Sequence, residues 1–262
     1  MDGMPPPPPL TVVITRPADQ AKALCQALLH TGAAPVLFPT ITIEANRDLD
    51  LSATHRALSR AHFVIFISRN AVRFGLKLLP QLQQAHPQLQ TVAVGEGSAA
   101  EFQQRCGKSI DLLPPPPYNS EGVLQLAQLQ QLSGKKILIL RGVGGRELLE
   151  DTLRRRGGEI HLVDLYRRAL PAHPPSIAWQ KVDIITTTSN AILENLFRLT
   201  PEESHPIILS TPLLVVSSRG EALARQLGFQ NEVIVATGAD TASLLEALRR
   251  WQPSLTQPAR RA

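Results

Sequence analysis

Short β-rich runs alternate with amphipathic stretches along most of the chain. The runs are TVVIT from Thr11, FVIFI from Phe63, TVAV from Thr91, KILIL from Lys136, DIITTT from Asp183 and LLVV from Leu213. Strands buried on both faces have this kind of continuous apolar sequence. Each run leads through a polar or glycine-rich turn into a helical pattern such as AKALCQALLHTG. The alternation predicts an α/β fold with parallel sheets and right-handed crossovers.

The same units recur in the second half of the chain. The matched residues are Asn70 with Asn190, Val94 with Val216, Arg16 with Arg141 and Ser120 with Thr241, at offsets of 120 to 125. Four units that recur at nearly constant spacing indicate a duplicated architecture. The chain of 262 residues is therefore predicted to form two similar parallel-sheet α/β domains.

Two divisions into domains fit this pattern. The chain could be cut between the copies, near Ser133–Gly134. Alternatively, the extended segments Pro35–Ala45 and Ile160–Ala172 could run side by side as a two-way bridge. Residues 44–165 would then form one domain, and residues 10–38 with 170–251 would form the other. The residues alone leave both divisions open.

The turns that follow the predicted strands are rich in Ser, Thr, Gly, Asn and Arg. They are Thr15–Arg16, Ser68–Asn70, Gly95–Ser98, Arg141–Arg146, Thr187–Asn190 and Ser217–Arg219. Ligands of open parallel sheets bind beyond the carboxyl ends of the strands, where free N–H groups at helix N-termini favour anions. Because such residues also cap helices, the prediction of an anion site depends on their clustering in both halves.

Charge and composition narrow the possible partners. A net charge of +5 suits a small anionic ligand better than a nucleic acid, so we expect no nucleic-acid partner. No apolar run approaches the ~20 residues of a membrane helix, and MDGMPPPPPL lacks the pattern of a secretory signal. Residues 1–9 and 252–262 are predicted to be flexible tails. Cys25 and Cys106 form no CxxC motif, which predicts reduced thiols in a cytoplasmic protein and no metal site.

One motif resembles a nucleotide-binding fingerprint. Gly95-x-Gly97-x-x-Ala100 lies between a predicted strand and helix, and Asp111 could bind a ribose. Asp111 follows Gly95 by 16 residues, fewer than the ~20 that are usual, and the duplicate VVSSRGEAL lacks these glycines. The chain has no GxSxG elbow and no Walker loop. An enzyme with this sequence would therefore act mainly by binding and shaping a reactive substrate.

The order of several motifs resembles that of the uroporphyrinogen-III synthase family of tetrapyrrole biosynthesis. These motifs are ITRP, FISRNAV, VGEGSA, NSEGVL, LRGVGGRELL, VDLYRR, TTSNAILENL and SSRGEALARQLGF, between Val12 and Trp251. The resemblance implies two α/β domains joined by a two-stranded linker, here residues 39–45 and 164–170, which favours the interleaved division. It also implies no metal or organic cofactor. We further expect a monomer that makes transient contact with the preceding enzyme of the pathway.

The reaction that the resemblance implies needs little catalytic equipment. The substrate would be hydroxymethylbilane, a small-molecule linear tetrapyrrole with eight carboxylates. Its terminal hydroxyl leaves as water, and the far pyrrole ring attacks the resulting azafulvene through its substituted carbon to form a spiro intermediate. Reclosure with that ring inverted gives uroporphyrinogen III, the work of a cyclising hydro-lyase. Alignment of the chain ends is the main task, and well-aligned reactants can gain ~7–11 kcal/mol from it.

The resemblance and the turns together assign site residues. Val163-x-x-Tyr166 matches the context of the candidate acid of the family, so Tyr166 is predicted to hydrogen-bond the leaving hydroxyl. The alternative is that Tyr166 only packs at the domain junction. The predicted substrate-binding residues are Arg16, Ser68, Asn70, Ser98, Arg141, Gly142, Ser189, Asn190, Ser218 and Arg219. The competing function is a non-enzymatic two-domain protein that binds a small polyanion.

Overall fold

A computed structural model describes residues 9–78, 88–144 and 147–252. Its strands are β1 (Thr11–Ile14), β2 (Ala34–Leu37), β3 (Thr42–Ala45), β4 (Phe63–Phe66), β5 (Gln90–Ala93), β6 (Lys136–Gly142), β7 (Glu159–Ala169), β8 (Ile184–Thr186), β9 (Leu213–Val215) and β10 (Val233–Val235). Its helices are α1 (Ala18–His30), α2 (Leu51–Leu58), α3 (Arg69–Leu78), α4 (Glu96–Cys106), α5 (Ser120–Gln125), α6 (Leu148–Arg155), α7 (Asn190–Leu199), α8 (His205–Ser210), α9 (Ser218–Leu227) and α10 (Thr241–Trp251). The predicted tails lie outside the described residues, apart from residues 9 and 252.

The contacts within the described chain divide it into two units. Unit 1 runs up to Thr42 and resumes at Ala169, whereas unit 2 is the continuous segment Ile43–Arg168. Ser133–Gly134, where a sequential division would fall, lies inside unit 2. Unit 1 is therefore assembled from the two ends of the described chain.

Each unit is built on one sheet. The order is β10-β9-β8-β1-β2 in unit 1 and β3-β7-β6-β4-β5 in unit 2. All neighbouring strands in unit 1 are parallel, and so are the β5–β4–β6–β7 strands of unit 2. The α/β fold with parallel sheets that the sequence predicts is confirmed.

The duplication seen in the sequence is also a duplication of the sheets. The matched runs pair β4 with β8, β5 with β9, and β6 with β1. These strands occupy the order β5-β4-β6 in unit 2 and β9-β8-β1 in unit 1. The matched helices are also arranged alike: α5 packs on α6 in unit 2, and α10 packs on α1 in unit 1. The two copies thus have the same spatial arrangement, although the chain enters them at different points.

Both faces of each sheet are buried, which explains the continuous apolar runs. In β4, Val64 and Phe66 belong to one core cluster, whereas Phe63 and Ile65 belong to the cluster on the opposite face. Strands covered by helices on both faces need apolar residues at every position. The short run Val233–Val235 was not among the predicted strands; its residues are half-buried at the edge of the unit 1 sheet.

Strand β3 differs from the other strands in direction. Thr42 Oγ1 donates to the carbonyl of Ala169, and the backbone N–H of Asn46 donates to the carbonyl of Leu165. Residue numbers therefore increase along β3 while those of its partners in β7 decrease, so β3 runs antiparallel to β7. β3 therefore fills the edge next to β7 at the side of the sheet where the chain enters and leaves unit 2.

Candidate functional site

The predicted site residues lie at the carboxyl edges of the two sheets. The order of strands reverses between β1 and β8 in unit 1 and between β4 and β6 in unit 2. Open α/β sheets bind their ligands beyond the carboxyl ends of the strands at such a switch point. Thr15–Arg16 follows β1, Ser68 follows β4, and Arg141–Gly142 ends β6. Each unit therefore places predicted site residues at its own switch point.

A β-bulge determines where Tyr166 points. Arg141 pairs with Asp164 and Gly142 pairs with Tyr166, so β7 contains one extra residue, Leu165. Without this bulge, Tyr166 would lie on the same face of the sheet as Leu162. It belongs instead to the core cluster of Val163 and Leu165, on the opposite face. Bulges that re-aim a side chain are common next to active sites.

Three contacts fix the Tyr166 side chain, which is only 6% exposed. Its hydroxyl lies 2.8 Å from Ser68 Oγ. Its ring stacks on Phe74 of α3, with centroids 5.6 Å apart and planes inclined by 23°. The ring also approaches Gly142, where a Cβ would lie 2.5 Å from Tyr166 Cε2. Position 142 therefore requires glycine because of the tyrosine, and the structure assigns Gly142 to the support of Tyr166.

The Ser68 hydroxyl has two partners with different roles. Its Oγ accepts the N–H of Ala71 at 3.0 Å and thereby caps α3. The remaining contact joins two hydroxyl groups, of which either can donate. When Ser68 donates to Tyr166 Oη, the phenolic O–H stays available for a ligand. Tyr166 and Ser68 are thus brought together as a potential proton-donating pair.

Arg141 is held by acidic side chains. Its Nε donates to Asp164 Oδ1 at 2.8 Å, and a second nitrogen lies 3.8 Å from Glu150 Oε2. Glu150 also pairs with Arg154 at 2.8 Å. The four charges balance, so Arg141 can offer its remaining N–H donors to a ligand without a net positive charge at this position.

Arg16 occupies the matching place in unit 1 and is 7% exposed. It donates to the carbonyls of Gln20 and Ala239, while its buried Nε has no partner among the described residues. Burial lowers the pKa of Arg16, and the negative charge of Asp240 opposes this shift. Arg16 therefore bridges α1 and the loop before α10 through two of the five N–H donors of its guanidinium.

The other predicted residues lie at helix N-termini. Ser189 caps α7 by accepting the N–H of Ile192 at 3.3 Å. Ser218 is the first residue of α9, whose cap is Ser217. Ser98 is buried in the first turn of α4. Asn70 is half-buried in the first turn of α3, and Asn190, Ser218 and Arg219 are exposed. Capping accounts for Ser189, whereas the exposed polar side chains are free to meet a ligand.

Arg69 is a candidate that the sequence analysis did not select. Its guanidinium lies across Gly97 at the start of α4, where a Cβ would be 2.5 Å from Arg69 Nε. In the described part of the chain, this arginine has no carboxylate partner. Its position directly after Ser68 in the turn was the available signal. An unpaired arginine at this edge can bind a carboxylate.

The fingerprint-like glycines are covered by side chains. Arg69 rests on Gly97, and a Cβ at Gly95 would lie 3.0 Å from Tyr118 Cβ. Asp111 accepts hydrogen bonds from the backbone and side chain of Thr91, near the amino end of β5. A ribose-binding acid belongs near the carboxyl ends of the strands. The contacts of Gly95, Gly97 and Asp111 therefore do not favour nucleotide binding.

Other classes of site are not formed by the residues that the structure describes. Across residues 9–78, 88–144 and 147–252, no three His, Cys, Asp or Glu side chains are grouped so that they could hold a metal ion. Within the same ranges, none of the helices is long and apolar enough to cross a membrane.

Sequence comparison assigns the chain to a family. The family model described as "Uroporphyrinogen-III synthase HemD" matches residues 22–246. The uroporphyrinogen-III synthase of Escherichia coli (strain K12) is 34% identical over 249 residues, which cover 92% of this chain and all of that protein. The synthase of Salmonella typhimurium (strain LT2) is 35% identical over 259 residues, with the same two coverages.

Solved structures share the fold. Uroporphyrinogen-III synthetase from Helicobacter pylori 26695 matches with a TM-score of 0.55 at 14% identity, over 93% of this chain and all of that one. A mutant uroporphyrinogen III synthase from the extremely thermophilic bacterium Thermus thermophilus gives 0.53 at 18% identity, over 92% and 98%. The sheets and their turns define an α/β protein of two duplicated units, with candidate ligand-binding residues at the carboxyl edges. Together with the family model and its relatives, they show that the chain belongs to the uroporphyrinogen-III synthase family.

Proposed function

We propose that the protein converts hydroxymethylbilane into uroporphyrinogen III and acts as a cyclising hydro-lyase. Family membership supports the overall reaction. The observation that supports the mechanism is the Tyr166 hydroxyl, which the β7 bulge, Phe74 and Gly142 hold against Ser68. Any buried tyrosine hydroxyl needs a hydrogen-bond partner, so the kinetics of a Tyr166 variant separate this role from simple packing.

In the proposed first step, the Tyr166 O–H donates to the terminal hydroxyl of the substrate. The carbon–oxygen bond breaks, the oxygen leaves as water, and the pyrrole nitrogen's electron pair forms the azafulvene, protonated at nitrogen. Transfer of that N–H proton then restores the phenol of Tyr166. Ser68 donates to Tyr166 Oη and stabilises the negative charge that develops on the phenol. Because a phenol is a weak acid near neutral pH and the substrate expels its own leaving group, Tyr166 accelerates this step without being indispensable.

The substrate carboxylates are proposed to bind at the turns of both units. The residues are Arg16, Ser68, Asn70, Ser98, Arg141, Gly142, Ser189, Asn190, Ser218 and Arg219, together with Arg69. Backbone N–H groups and the helix dipole favour carboxylates at these starts of helices. Gly142 and Ser68 contribute through Tyr166, whereas Arg69 and Arg219 offer guanidinium donors. We also propose a cytoplasmic monomer with 39–45 and 164–170 as linker strands, which meets the preceding pathway enzyme transiently.

The isomer composition of the product tests this function. Purified protein and freshly prepared hydroxymethylbilane are mixed without added cofactor, oxidised and separated by chromatography. The expected product is mainly the type III isomer, formed faster than spontaneous closure gives type I. Formation of type I alone at the uncatalysed rate overturns the proposal. Tight binding without turnover would instead favour the non-enzymatic polyanion-binding protein.

A further inference from the structure

A cavity of about 260 Å³ lies in unit 2 at the carboxyl ends of β4 and β6. Its apolar walls include Ile67, Val94, Leu149 and Leu162. It occupies the face of the sheet opposite Tyr166, on which Leu162 and Leu149 pack. The backbone at the end of β6 thus separates the cavity from the Tyr166 ring. Arg141 lines the cavity, and the next residue, Gly142, contacts the Tyr166 ring.

The two copies of the duplicated unit use this place differently. In unit 1, Arg16 donates to the carbonyls of Gln20 in α1 and of Ala239 in the loop before α10. In unit 2, the matching Arg141 is drawn to Asp164 and Glu150. At the repeat offset of 125, these acids correspond to Pro39 and Cys25, which cannot hold an arginine in the same way. The acids of unit 2 therefore keep Arg141 at the wall and leave the space open.

The polar groups of the cavity differ in kind. Glu150 supplies a carboxylate oxygen that can accept an N–H, and its other oxygen pairs with Arg154. Ser120 and the nitrogens of Arg141 not bound to Asp164 supply donors. A fitting ligand is flat and apolar on its faces, carries one N–H, and bears a carboxylate. The volume lies below the roughly 300–1,000 Å³ of sites for drug-sized molecules, so it suits a single ring.

We infer that this cavity binds one pyrrole ring of the linear tetrapyrrole, an inference that rests on the proposed function. The ring N–H donates to Glu150, and a carboxylate side chain of the ring accepts from Ser120 and Arg141. The aliphatic walls cover the ring faces. Because the four local charges balance, hydrogen-bond geometry selects the ring here, and general attraction of anions contributes little. One anchored ring fixes the register of the flexible substrate relative to Tyr166.

Methyl NMR with a single-ring probe tests the inference. The probe is porphobilinogen, a monopyrrole with one acetate and one propionate chain, added to full-length protein labelled at Ile, Leu and Val methyl groups. We expect the largest shifts at Ile67, Val94, Leu149 and Leu162. Ser120→Ala should weaken binding of the probe about threefold to tenfold, the effect of one hydrogen bond. Absence of shifts at these methyl groups at millimolar probe overturns the inference.

A substitution that fills the cavity is the second test of the inference. Val94→Phe should abolish the probe shifts and raise KM for hydroxymethylbilane at least about fivefold. Ala57→Leu is the control, because it fills a separate cavity of about 150 Å³ in the same unit and should leave both readouts unchanged. If Val94→Phe does not fold, Ser120→Ala decides alone. Wild-type production of type III isomer, combined with unchanged binding in Ser120→Ala, would refute the ring site and leave the proposed function standing.

Discussion

At the scale of single residues, the hydroxyl of Tyr166 carries the main mechanistic prediction. Tyr166→Phe removes the proton donor and keeps the ring against Phe74 and Gly142. We expect kcat to fall roughly 10- to 100-fold, at or below the low end of the ~100- to 10,000-fold typical of general acids, because the substrate expels its own leaving group. Steady-state kinetics with chromatography of the isomers measures the change. An unaltered kcat would exclude the proton-donating role.

Ser68 should act through Tyr166. Ser68→Ala is expected to lower kcat in the wild-type background and to add little in the Tyr166→Phe background, since the two hydroxyls work as one unit. Ser68→Ala also removes the cap of α3. Asp50→Ala removes the comparable cap of α2, where Asp50 accepts from Ala53 at 2.8 Å, and controls for the loss of about 1 kcal/mol in stability.

Gly142 should tolerate no side chain. A Cβ there would lie 2.5 Å from Tyr166 Cε2, so Gly142→Ala must displace the ring or the strand. We expect a loss of about 1–3 kcal/mol in unfolding free energy, typical of overpacking, with a lower kcat. Denaturant unfolding and kinetics check both effects. Gly134→Ala, whose left-handed φ of 71° imposes strain in open space, separates general glycine strain from the Tyr166 contact.

At the scale of elements, an ion-pair cluster joins α3 to α4. Glu101 is 11% exposed and accepts from Arg73 at 2.8 Å and from Arg105 at 2.6 Å. Burial favours the neutral acid, but the two arginines outweigh it and lower the pKa of Glu101. The folded-state pKa is therefore below that of the unfolded chain. The cluster stabilises the protein above the unfolded pKa of about 4.3, and this contribution disappears as pH falls through the folded-state pKa.

Glu101→Gln should therefore be destabilising only at higher pH. We expect a loss of about 1 kcal/mol at pH 7, allowing for solvent screening of the partly exposed arginines. The difference from wild type should shrink as the pH falls below the unfolded pKa of about 4.3. Guanidinium unfolding at pH 7 and at about pH 3 measures it, with the exposed Glu121→Gln as a control expected to change stability by less than ~0.5 kcal/mol. A difference that persists undiminished at pH 3 would contradict the linkage.

Some features of the strands and turns could be predicted from the sequence, and others could not. The repeated apolar runs predicted the buried strands and their duplication because each strand must satisfy two apolar faces. The face of Tyr166 could not be predicted, since the bulge at Leu165 inverts the two-residue alternation. The different partners of Arg16 and Arg141 could not be predicted either. Arg141 pairs with Asp164 and Glu150, and only the tertiary fold brings these acids close to it. Ser189 fitted the site pattern because capping residues and anion-binding residues are the same types.

At the scale of the whole molecule, unit 2 should fold alone. The segment Ile43–Arg168 contains the five strands of its sheet, except for the first residue of β3 and the last residue of β7, and its own core clusters. We expect this fragment to unfold cooperatively when followed by circular dichroism. A fragment of residues 1–133, cut by the sequential division, should not, because it separates β4 from its partner β6. Cooperative folding of the second fragment would contradict the interleaved arrangement.

The split of unit 1 across both ends of the chain has a consequence for biosynthesis. Strand β1 emerges from the ribosome before unit 2, but its neighbour β8 is made about 170 residues after β1. At ~5–20 residues per second, this delay is on the order of 10–30 s. During that time, β1 and β2 expose apolar faces while the middle of the polypeptide already matures. Nascent chains of this protein should therefore need a chaperone to cover β1 and β2 until β8 has been made, so that unit 2 completes its fold before unit 1.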